Sequence, residues 1–402
     1  MAASAPPAEV DLVVVGGGIV GLAVARAVAG SPGSPGVAVL EREPDIGAHQ
    51  TSHNSGVIHA GIYYAPGSLK ARLCVEGARA LYDYCADRGI EAVRCGKVIV
   101  AARAVELDRL AELERRARAN GVRVARLDLA ELREIEPAAH GLAALHSPDT
   151  GSVDFAAVAR AFAGDVAAAG GTVTAGCAVA RIQEGGDGVE VHHAGGVLHA
   201  RRVVTCAGAW SDRLAAASGA RPSVRIVPFR GGYLKLRPER TGLVRGQVYP
   251  VPDPSLPFLG VHATPTVGGD VLFGPTALLV GARDAYRLTR VRAADVADTL
   301  RGPGTARLVR RWWRTGAREL GHAASRRLVV REIQRYLPAV GPRDVIAGPS
   351  GIRAQAVARD GSLVDDFAFA ETERVLHVLN APSPAATASL AIGDEIARRV
   401  TA

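Results

Sequence analysis

The sequence predicts an α/β fold with two domains, and three observations support this prediction. The chain has 402 residues, which is too long for one simple hydrophobic core. A short β-branched stretch, DLVVV (11–15), leads directly into the glycine-rich turn GGGIVG (16–21). A helical pattern, LAVARAVAG (22–30), and a second apolar strand, VAVLE (37–41), then follow. This order is typical of a β-α-β unit in a parallel sheet.

The glycines of this turn have the spacing of a dinucleotide-binding fingerprint. Gly16 allows a tight turn, Gly18 lets the backbone approach a pyrophosphate, and Gly21 lets the helix pack closely on the strand. Glu41 ends the second strand, about twenty positions past the last glycine, where it can accept hydrogen bonds from an adenosine ribose. A merely glycine-rich turn does not account for Glu41, so the unit predicts a Rossmann-like dinucleotide-binding domain.

The segment after Glu41 distinguishes a flavin from a nicotinamide dinucleotide. It runs through Arg42 into HQTSHNSGVIHAGIYY (49–64), which fits neither an amphipathic helix nor an alternating strand. Its hydroxyl, amide and glycine groups can follow an extended FAD molecule, whereas a nicotinamide enzyme usually continues with another plain β-α unit. The residues predicted to contact FAD in this segment are Arg42, Thr51, Ser52, His53, Asn54, Ser55 and Gly56.

These segments resemble a known family. GGGIVG (16–21) and HQTSHNSGVIHAGIYYAPGSLKARLC (49–74) are similar to the L-2-hydroxyglutarate oxidase/dehydrogenase family, a branch of the D-amino-acid-oxidase-like flavoproteins. The other similar blocks are TCAGAWSD (205–212), VPFRGGYLKL (227–236), YPVPDPSLPFLGVHATPTVGGDVLFGP (249–275), GIRAQAVARDGSLVDDF (351–367) and NAPSPAATASLAIGDEIA (380–397). The resemblance spans nearly the whole chain and is weakest over residues 281–335.

The resemblance implies an enzyme that oxidises L-2-hydroxyglutarate to 2-oxoglutarate by hydride transfer from C2 to flavin N5. Oxygen or a membrane quinone is the expected electron acceptor. The implied architecture is a Rossmann-like FAD-binding domain interleaved with a mixed-sheet substrate domain. The FAD-binding domain is expected to comprise residues 1–90, 145–220 and 340–402, and the substrate domain residues 91–144 and 221–339.

Later segments are expected to complete the FAD site. They contribute Val179, Ala207, Gly208, Trp210, Ser383, Pro384, Ala385, Ala386 and Thr387. The small residues of the last block let a loop lie against the flavin, and the following helix directs the positive end of its dipole toward the N1/O2 edge. A covalent bond between His53 and the flavin stays an alternative, because some amine-oxidising relatives carry such a bond at a similar place.

Oxidation of a 2-hydroxy acid needs cations that hold the carboxylates, and bidentate arginine suits this task. Arg353 in GIRAQ is the first candidate, with Gln355 on the same strand face. Arg230 in PFRGG is the second candidate, and Lys70 and Arg72 are further ones. For each arginine the alternative is a surface salt bridge.

The reaction also needs a base for the hydroxyl proton, and two histidines are candidates. His262 in FLGVHATP lies in an apolar, strand-like context, and His59 in VIHAG has small neighbours that allow close approach to the flavin. An unperturbed imidazole, with a pKa of about 6.5, suits this role. The alternatives are a core histidine for His262 and a flavin contact for His59. Tyr249 and Tyr64 are predicted neighbours of the substrate, and Tyr63 is the alternative to Tyr64 beside His59.

Composition limits the partners of the protein. The five cysteines have no CxxC spacing, so neither a metal site nor a disulfide framework is predicted. The net charge is +8, but aromatics make up only 4% and do not alternate with basic residues, so nucleic acid is not expected. No apolar run is long enough to span a membrane, and we predict a cytoplasmic protein. The basic helix at 305–320, with Trp312 and Trp313, is a candidate for peripheral contact at the inner face of the cell membrane.

Two alternative functions stay open. The same flavin chemistry can serve another 2-hydroxy acid or a secondary-metabolite intermediate, because changes in the substrate domain leave the flavin segments intact. A non-catalytic flavin-binding subunit is the more distant alternative. Reduction of the flavin by a panel of substrates distinguishes these functions.

Overall fold

The computed structural model of the chain describes residues 5–31, 33, 35–254, 256 and 259–401. The strands are β1 (Glu9–Val15), β2 (Val37–Leu40), β3 (Val57–Ile58), β4 (Ala92–Val93), β5 (Lys97–Ala101), β6 (Ala125–Leu127), β7 (Ala143–Ser147), β8 (Gly151–Val153), β9 (Thr172–Thr174), β10 (Val179–Glu184), β11 (Val189–His193), β12 (Gly196–Thr205), β13 (Val224–Leu236), β14 (Gln247–Pro250), β15 (His262–Pro265), β16 (Val271–Gly274), β17 (Leu278–Leu279), β18 (Val345–Ala358), β19 (Ala368–Glu371) and β20 (Val375–Asn380). The helices are α1 (Ile19–Ala29), α2 (Leu69–Asp87), α3 (Leu107–Ala119), α4 (Leu129–Ile135), α5 (Phe155–Ala168), α6 (Ser211–Ala217), α7 (Ala293–Arg301), α8 (Pro303–Ala324), α9 (Arg326–Ile333) and α10 (Ser389–Thr401).

The first sheet has a parallel centre in the order β9-β2-β1-β12-β20. The hairpin of β10 and β11 extends it beside β12, and β19 pairs with β20 in the antiparallel sense. Because β2 and residues 12–15 of β1 are apolar, they are buried on both faces, and α1, α2, α5 and α10 cover one of these faces. The carboxyl ends of β1, β2, β12 and β20 therefore meet at one edge of the sheet.

The second sheet has the order β17-β13-β16-β15-β14-β5-β7-β6, and β18 pairs with β13. The pairing of β13 with β18 is antiparallel and runs from Val224 opposite Ala358 to Leu236 opposite Val345. The sequence-based division assigns residues 340–402 to the FAD-binding domain, yet β18 is hydrogen-bonded into the second sheet. An apolar strand pattern does not reveal which sheet the strand joins, which explains the difference. A third, small sheet contains β3, β8 and β4.

The predicted basic helix is α8, and its two tryptophans differ in burial. Trp312 has non-helical backbone angles and packs partly buried against Val227, Leu308 and Val357. Trp313 is 59% exposed. Across the part of the chain that the structure describes, each helix is either too short or too polar to span a lipid bilayer.

Candidate active site

A cavity of about 870 Å³ lies between the carboxyl edge of the first sheet and the strands β13, β14, β15 and β18 of the second. Eighteen of the predicted FAD contacts line it: Gly16, Gly18, Gly21, Glu41, Arg42, Thr51, His53, Asn54, Ser55, Val179, Ala207, Gly208, Trp210, Ser383, Pro384, Ala385, Ala386 and Thr387. Two others do not: Ser52 is exposed, and Gly56 turns the backbone beside β8 with a φ of +71°. The fold therefore brings most of the predicted FAD contacts together around one cavity.

The glycine-rich turn has the geometry that a bound pyrophosphate requires. Gly16 has a φ of +116°, and a Cβ there would lie 2.4 Å from the carbonyl oxygen of Cys206. A Cβ on Gly21 would lie 2.0 Å from the carbonyl oxygen of Gly16, so α1 packs directly on the turn. At Gly18 the nearest atom to such a Cβ is Thr51 Oγ1 at 3.5 Å, which leaves space on the cavity side. The amino end of α1 faces this space.

The Glu41 carboxylate is held in place by the backbone. Its Oε2 accepts a hydrogen bond from Gly17 N at 2.7 Å, and its Oε1 accepts one from Glu43 N at 2.9 Å. The side chain is buried but lines the cavity. Each carboxylate oxygen has a second lone pair, so Glu41 can also accept bonds from the two ribose hydroxyls of FAD.

A cluster of charged and aromatic side chains flanks this carboxylate. The Arg42 guanidinium lies 3.5 Å from the ring centroid of Trp210, and its Nε donates to Glu43 Oε1 at 2.8 Å. His49 Nε2 lies 2.8 Å from the same oxygen. Although burial raises the pKa of Glu43, the hydrogen bonds to His49 and Arg42 outweigh it and hold this pKa below its ordinary value.

Tyr286, which the sequence does not single out, connects this cluster to the polar loop. Its ring centroid lies 4.1 Å from that of His53, and its hydroxyl lies 3.2 Å from His49 Nδ1. His53 Nδ1 is in turn 3.0 Å from the carbonyl oxygen of His49. Tyr286 falls in the region where the family resemblance is weakest, so no motif pointed to it. A covalent bond to His53 stays an untested alternative.

Thr387 connects the last segment of the chain to the polar loop. Its hydroxyl donates to the carbonyl oxygen of Val57 at 3.1 Å and accepts from His59 N at 3.1 Å. A Cβ on Gly77 of α2 would lie 2.6 Å from Ala388 Cα, so the small residues here allow close packing. The loop between β20 and α10 thus lies against residues 57–59, as an FAD cradle requires. These features together fit FAD as the resident cofactor.

His262 lies on the opposite wall, on β15. Its ring is stacked on Tyr249, with centroids 3.8 Å apart and planes at 18°. The carbonyl oxygen of Gly260 lies 2.8 Å from Nδ1 and accepts its proton, which leaves Nε2 with a free lone pair. Burial lowers the pKa of His262 to about 3, so the imidazole is neutral near neutral pH.

His59 lies in the polar loop and lines the same cavity. Its Nδ1 is buried and has no hydrogen-bond partner among the described residues. Burial, together with the positive charges of Lys97 and Lys70, holds the pKa of His59 well below its ordinary value. Both candidate bases are therefore neutral imidazoles, as proton abstraction requires.

Two of the cations predicted to bind the substrate also line the cavity. Arg353 on β18 is accessible from the cavity. The surrounding protein lowers the pKa of its guanidinium, and the negative charge of Asp365 partly offsets this decrease. Lys70 on α2 donates to Asp365 Oδ1 at 2.7 Å and lies 4.8 Å from the ring centroid of Tyr64. Gln355 lines the cavity next to Arg353, as its strand position predicts.

Two other predicted cations lie elsewhere. Arg230 is not among the residues that line the cavity, and its Nε donates to the carbonyl oxygen of Tyr286 at 2.9 Å. Arg72 faces Glu76 and Glu395 on the surface, each at 3.4 Å. The alternation of β13 explains the position of Arg230, because its neighbours Phe229 and Gly231 face the cavity instead.

Tyr233 lines the cavity but was not predicted as a site residue, and Tyr63, one of the two tyrosines expected near the reacting face, lines it as well. The Tyr233 hydroxyl is hydrogen-bonded to Ser55, and burial raises the pKa of Tyr233 to about 12. The Tyr63 hydroxyl is buried without a hydrogen-bond partner among the described residues. Tyr233 could have been predicted from the sequence, because strand alternation places it on the side of β13 opposite to Arg230.

Comparison with known proteins identifies the family of the chain. The family model for FAD-dependent oxidoreductases matches residues 11–399. The chain is 45% identical to the mitochondrial L-2-hydroxyglutarate dehydrogenase of Homo sapiens, over 99% of this chain and 90% of that protein. It is 40% identical to the L-2-hydroxyglutarate dehydrogenase of Escherichia coli, over 97% of this chain and 93% of that protein.

Among solved structures, the FAD-bound, dithionite-reduced L-α-glycerophosphate oxidase of Mycoplasma pneumoniae superposes with a TM-score of 0.79. The match covers 98% of this chain and 95% of that one at 21% identity, so it supports the fold alone. The sequence relatives are much more similar and cover nearly the whole chain. The chain therefore belongs to the FAD-dependent oxidoreductases and, within them, to the L-2-hydroxyglutarate dehydrogenase family.

Proposed function

We propose that this protein is an FAD-dependent dehydrogenase that oxidises L-2-hydroxyglutarate to 2-oxoglutarate. One observation carries the proposal: a single cavity joins the predicted FAD contacts to two neutral imidazoles and two cations. The substrate is a dianion with a hydroxyl proton to remove, so it needs both kinds of group. The names of relatives at 40% to 45% identity support the choice of substrate.

The two cations are the groups that hold the substrate. Arg353 can form two parallel hydrogen bonds with one carboxylate, which fixes its orientation as well as its position. Lys70 remains near the cavity because Asp365 holds its ammonium group, and it offers a second positive charge. Two charges placed apart suit a five-carbon dicarboxylate better than a monocarboxylate. Gln355 beside Arg353 is placed to add a neutral hydrogen-bond donor.

His262 is the group that takes the hydroxyl proton. The hydrogen bond to Gly260 keeps the proton on Nδ1, and stacking on Tyr249 fixes the plane of the ring, so Nε2 is a positioned acceptor. Burial lowers the pKa of this imidazole to about 3. A bound dianion favours the imidazolium form and raises this pKa, which makes the proton transfer more favourable. When bound, FAD supplies the acceptor for the hydride from C2.

His59 then has the alternative role that the sequence left open, which is contact with the flavin. Its backbone N–H is bonded to Thr387 and its Nδ1 is enclosed, so the ring is rigidly placed beside the flavin cradle. Together with Tyr63 and Tyr64 it forms an aromatic side of the cavity that excludes water. A drier cavity strengthens the attraction between the substrate carboxylates and the cations.

The decisive test is an anaerobic absorption spectrum of the purified protein. We expect a flavin spectrum that bleaches after addition of L-2-hydroxyglutarate and stays unchanged with the D isomer. A flavin that stays oxidised with both isomers, yet is reduced by dithionite, would contradict the substrate and direct the search to other 2-hydroxy acids. A protein without flavin would contradict the cofactor site.

We further infer that the electrons pass to a membrane quinone rather than to oxygen. Exposed Trp313, Val309 and Leu320 lie on α8 among several arginines, and this combination favours the surface of an anionic membrane. In a flotation assay, anionic vesicles should bind the protein and carry it upward with them. Trp313→Ser should reduce the vesicle-bound fraction of the protein without changing its flavin content. Rapid reoxidation of the reduced protein by dissolved oxygen, with no effect of a soluble quinone, would contradict this inference.

A further inference from the structure

Lys97 is a buried cation that the proposed reaction does not use. It lies at the start of β5 with 2% of its side chain exposed. Among the described residues, the groups whose charges act on it are Cys95 and Cys74, and no carboxylate is one of them. A buried ammonium group without a counter-ion is unfavourable, because it loses its hydration without recovering a charge interaction. Its position in this protein therefore calls for a functional explanation.

Lys97 is separated from the cavity by one aromatic layer. Its Nζ lies 4.0 Å from the ring centroid of Tyr249 and 5.5 Å from that of Tyr63. His262 is stacked 3.8 Å from the same Tyr249 ring, so the imidazole and the ammonium group must occupy opposite faces of it. Tyr249, Tyr63 and His262 all line the cavity, whereas Lys97 lies behind them. The charge is thus close to the cavity without lining it.

The titratable groups around Lys97 supply no negative charge near neutral pH. They are Cys95 before its own strand, Cys74 on α2, His59 and Tyr63 in the polar loop, Tyr249 on β14 and His262 on β15. Burial raises the pKa of Cys74 to about 12 and lowers the pKa of both histidines. For the same reason, the pKa of Lys97 itself is lowered to about 7. None of these described groups supplies a counter-charge, whereas an anionic ligand in the cavity would supply one.

We propose that Lys97 is the charge-compensating residue for the dicarboxylate, which takes up a proton when a dianion binds on the other side of Tyr249. The proposal rests on the proposed function, because it needs an anionic occupant of the cavity. Coulomb attraction acts across a dry aromatic layer with little screening, so direct contact is not required. A dianion attracts the ammonium group more strongly than a monoanion does, so this arrangement selects for dicarboxylates.

The direction of the pH effect follows from linkage. A bound anion raises the pKa of a nearby amine. Binding is therefore favoured while Lys97 is protonated and weakens as the pH rises through its pKa in the complex. Each unit by which the ligand raises this pKa changes the affinity tenfold, so we expect 2-oxoglutarate to bind about tenfold more weakly at about pH 9 than at about pH 6.

The test measures 2-oxoglutarate binding to the oxidised holoenzyme by its effect on flavin absorbance, across this pH range. The variants are Lys97→Met, which removes the charge at similar volume, and Lys97→Arg, which keeps it. Lys70→Met is the matched control, because it removes a cation that lines the cavity and already has a carboxylate partner. Binding of 2-oxobutanoate, a monocarboxylate, serves as the ligand control.

We expect Lys97→Met to bind weakly at every pH with the pH dependence removed, and Lys97→Arg to restore tight binding up to about pH 9 because guanidinium stays protonated. Lys70→Met should weaken binding but keep the pH dependence. Calorimetry of the wild-type protein in buffers of different ionisation enthalpy should show proton uptake with 2-oxoglutarate and less with 2-oxobutanoate.

An unchanged pH dependence in Lys97→Met would overturn the inference and leave the proposed function standing. Binding of 2-oxoglutarate without proton uptake would overturn it as well, whether or not the arginine variant folds. A wild-type holoenzyme that binds no 2-oxoglutarate at any pH would instead contradict the proposed function. The two failures are therefore distinguishable.

Discussion

The two sides of the cavity are built in different ways. The FAD side consists of turns that directly follow four neighbouring parallel strands, and much of its surface is backbone and small residues. On the substrate side, β5, β14, β15 and α2 each contribute a single functional side chain, and β18 contributes Arg353 and Gln355. A backbone-built site is encoded in short local motifs, whereas a site built from single side chains depends on how distant segments pair.

The two sides also differ in how their charges are balanced. On the FAD side, Glu41 accepts two backbone hydrogen bonds, and Arg42 is paired with Glu43. On the substrate side, both histidines are neutral and Lys97 has no carboxylate partner among the described residues. The FAD side is thus largely neutralised by its own residues, while the substrate side depends on an anionic ligand for balance.

The largest effect is expected on the FAD side, from Gly21→Ala. The added Cβ would lie 2.0 Å from the carbonyl oxygen of Gly16, so α1 would have to move away from the turn. We expect purified protein with almost no flavin, as measured by the ratio of flavin to protein absorbance. The control is Gly164→Ala in α5, where a Cβ meets no atom within 4 Å. That variant should keep its flavin and gain about 0.5–1 kcal/mol of unfolding free energy.

Full flavin content in Gly21→Ala would show that the turn tolerates a side chain. The contrast between an FAD side built from backbone and a substrate side built from side chains would then not hold. Flavin loss in the Gly164→Ala control would show that any change in these helices disturbs the cofactor. Either result would mean that the local motif does not account for FAD binding.

On the substrate side, His262→Ala should have the next largest effect. Loss of the positioned base should slow anaerobic flavin reduction by ~10²–10⁴-fold while flavin content stays normal. Stopped-flow absorbance at saturating L-2-hydroxyglutarate measures this rate. His59→Ala is the matched comparison, because His59 lines the same cavity and is also neutral. A larger loss in His59→Ala than in His262→Ala would reverse the assignment of the base.

The acid side of the pH profile provides an independent check on His262. Its pKa is lowered to about 3, so the free base form is present above that value and is lost only as the pH falls through it. The kcat/KM should therefore show no acid limb due to His262 between about pH 5 and pH 8. An acid limb near pH 6.5 that disappears in His262→Ala would contradict the burial of this imidazole.

The same contrast explains what could be predicted from the sequence. The positions of Gly16, Gly21 and Glu41 around one cavity were predictable, because strand, turn and acid follow one another in the chain and interact locally. The position of Arg353 in the cavity was predictable only through the family resemblance. The aromatic layer over Lys97 was not predictable, since Tyr63, Lys97 and Tyr249 are far apart in the sequence and meet only through the pairing of β5 with β14.

Arg353→Met separates the two arginine candidates and tests whether one side chain dominates the substrate side. Loss of a charged hydrogen-bond partner should weaken binding of 2-oxoglutarate by ~2–5 kcal/mol and leave flavin content unchanged. Arg230→Met is the matched control, because Arg230 lies on the paired strand β13 but donates to the carbonyl oxygen of Tyr286 instead of lining the cavity. We expect it to change the affinity much less.

A large loss of affinity in Arg230→Met with a small loss in Arg353→Met would transfer the carboxylate anchor to the other strand. Losses of similar size in both would mean that the β13–β18 pair acts as one unit, and that the substrate side, like the FAD side, is shaped mainly by its backbone.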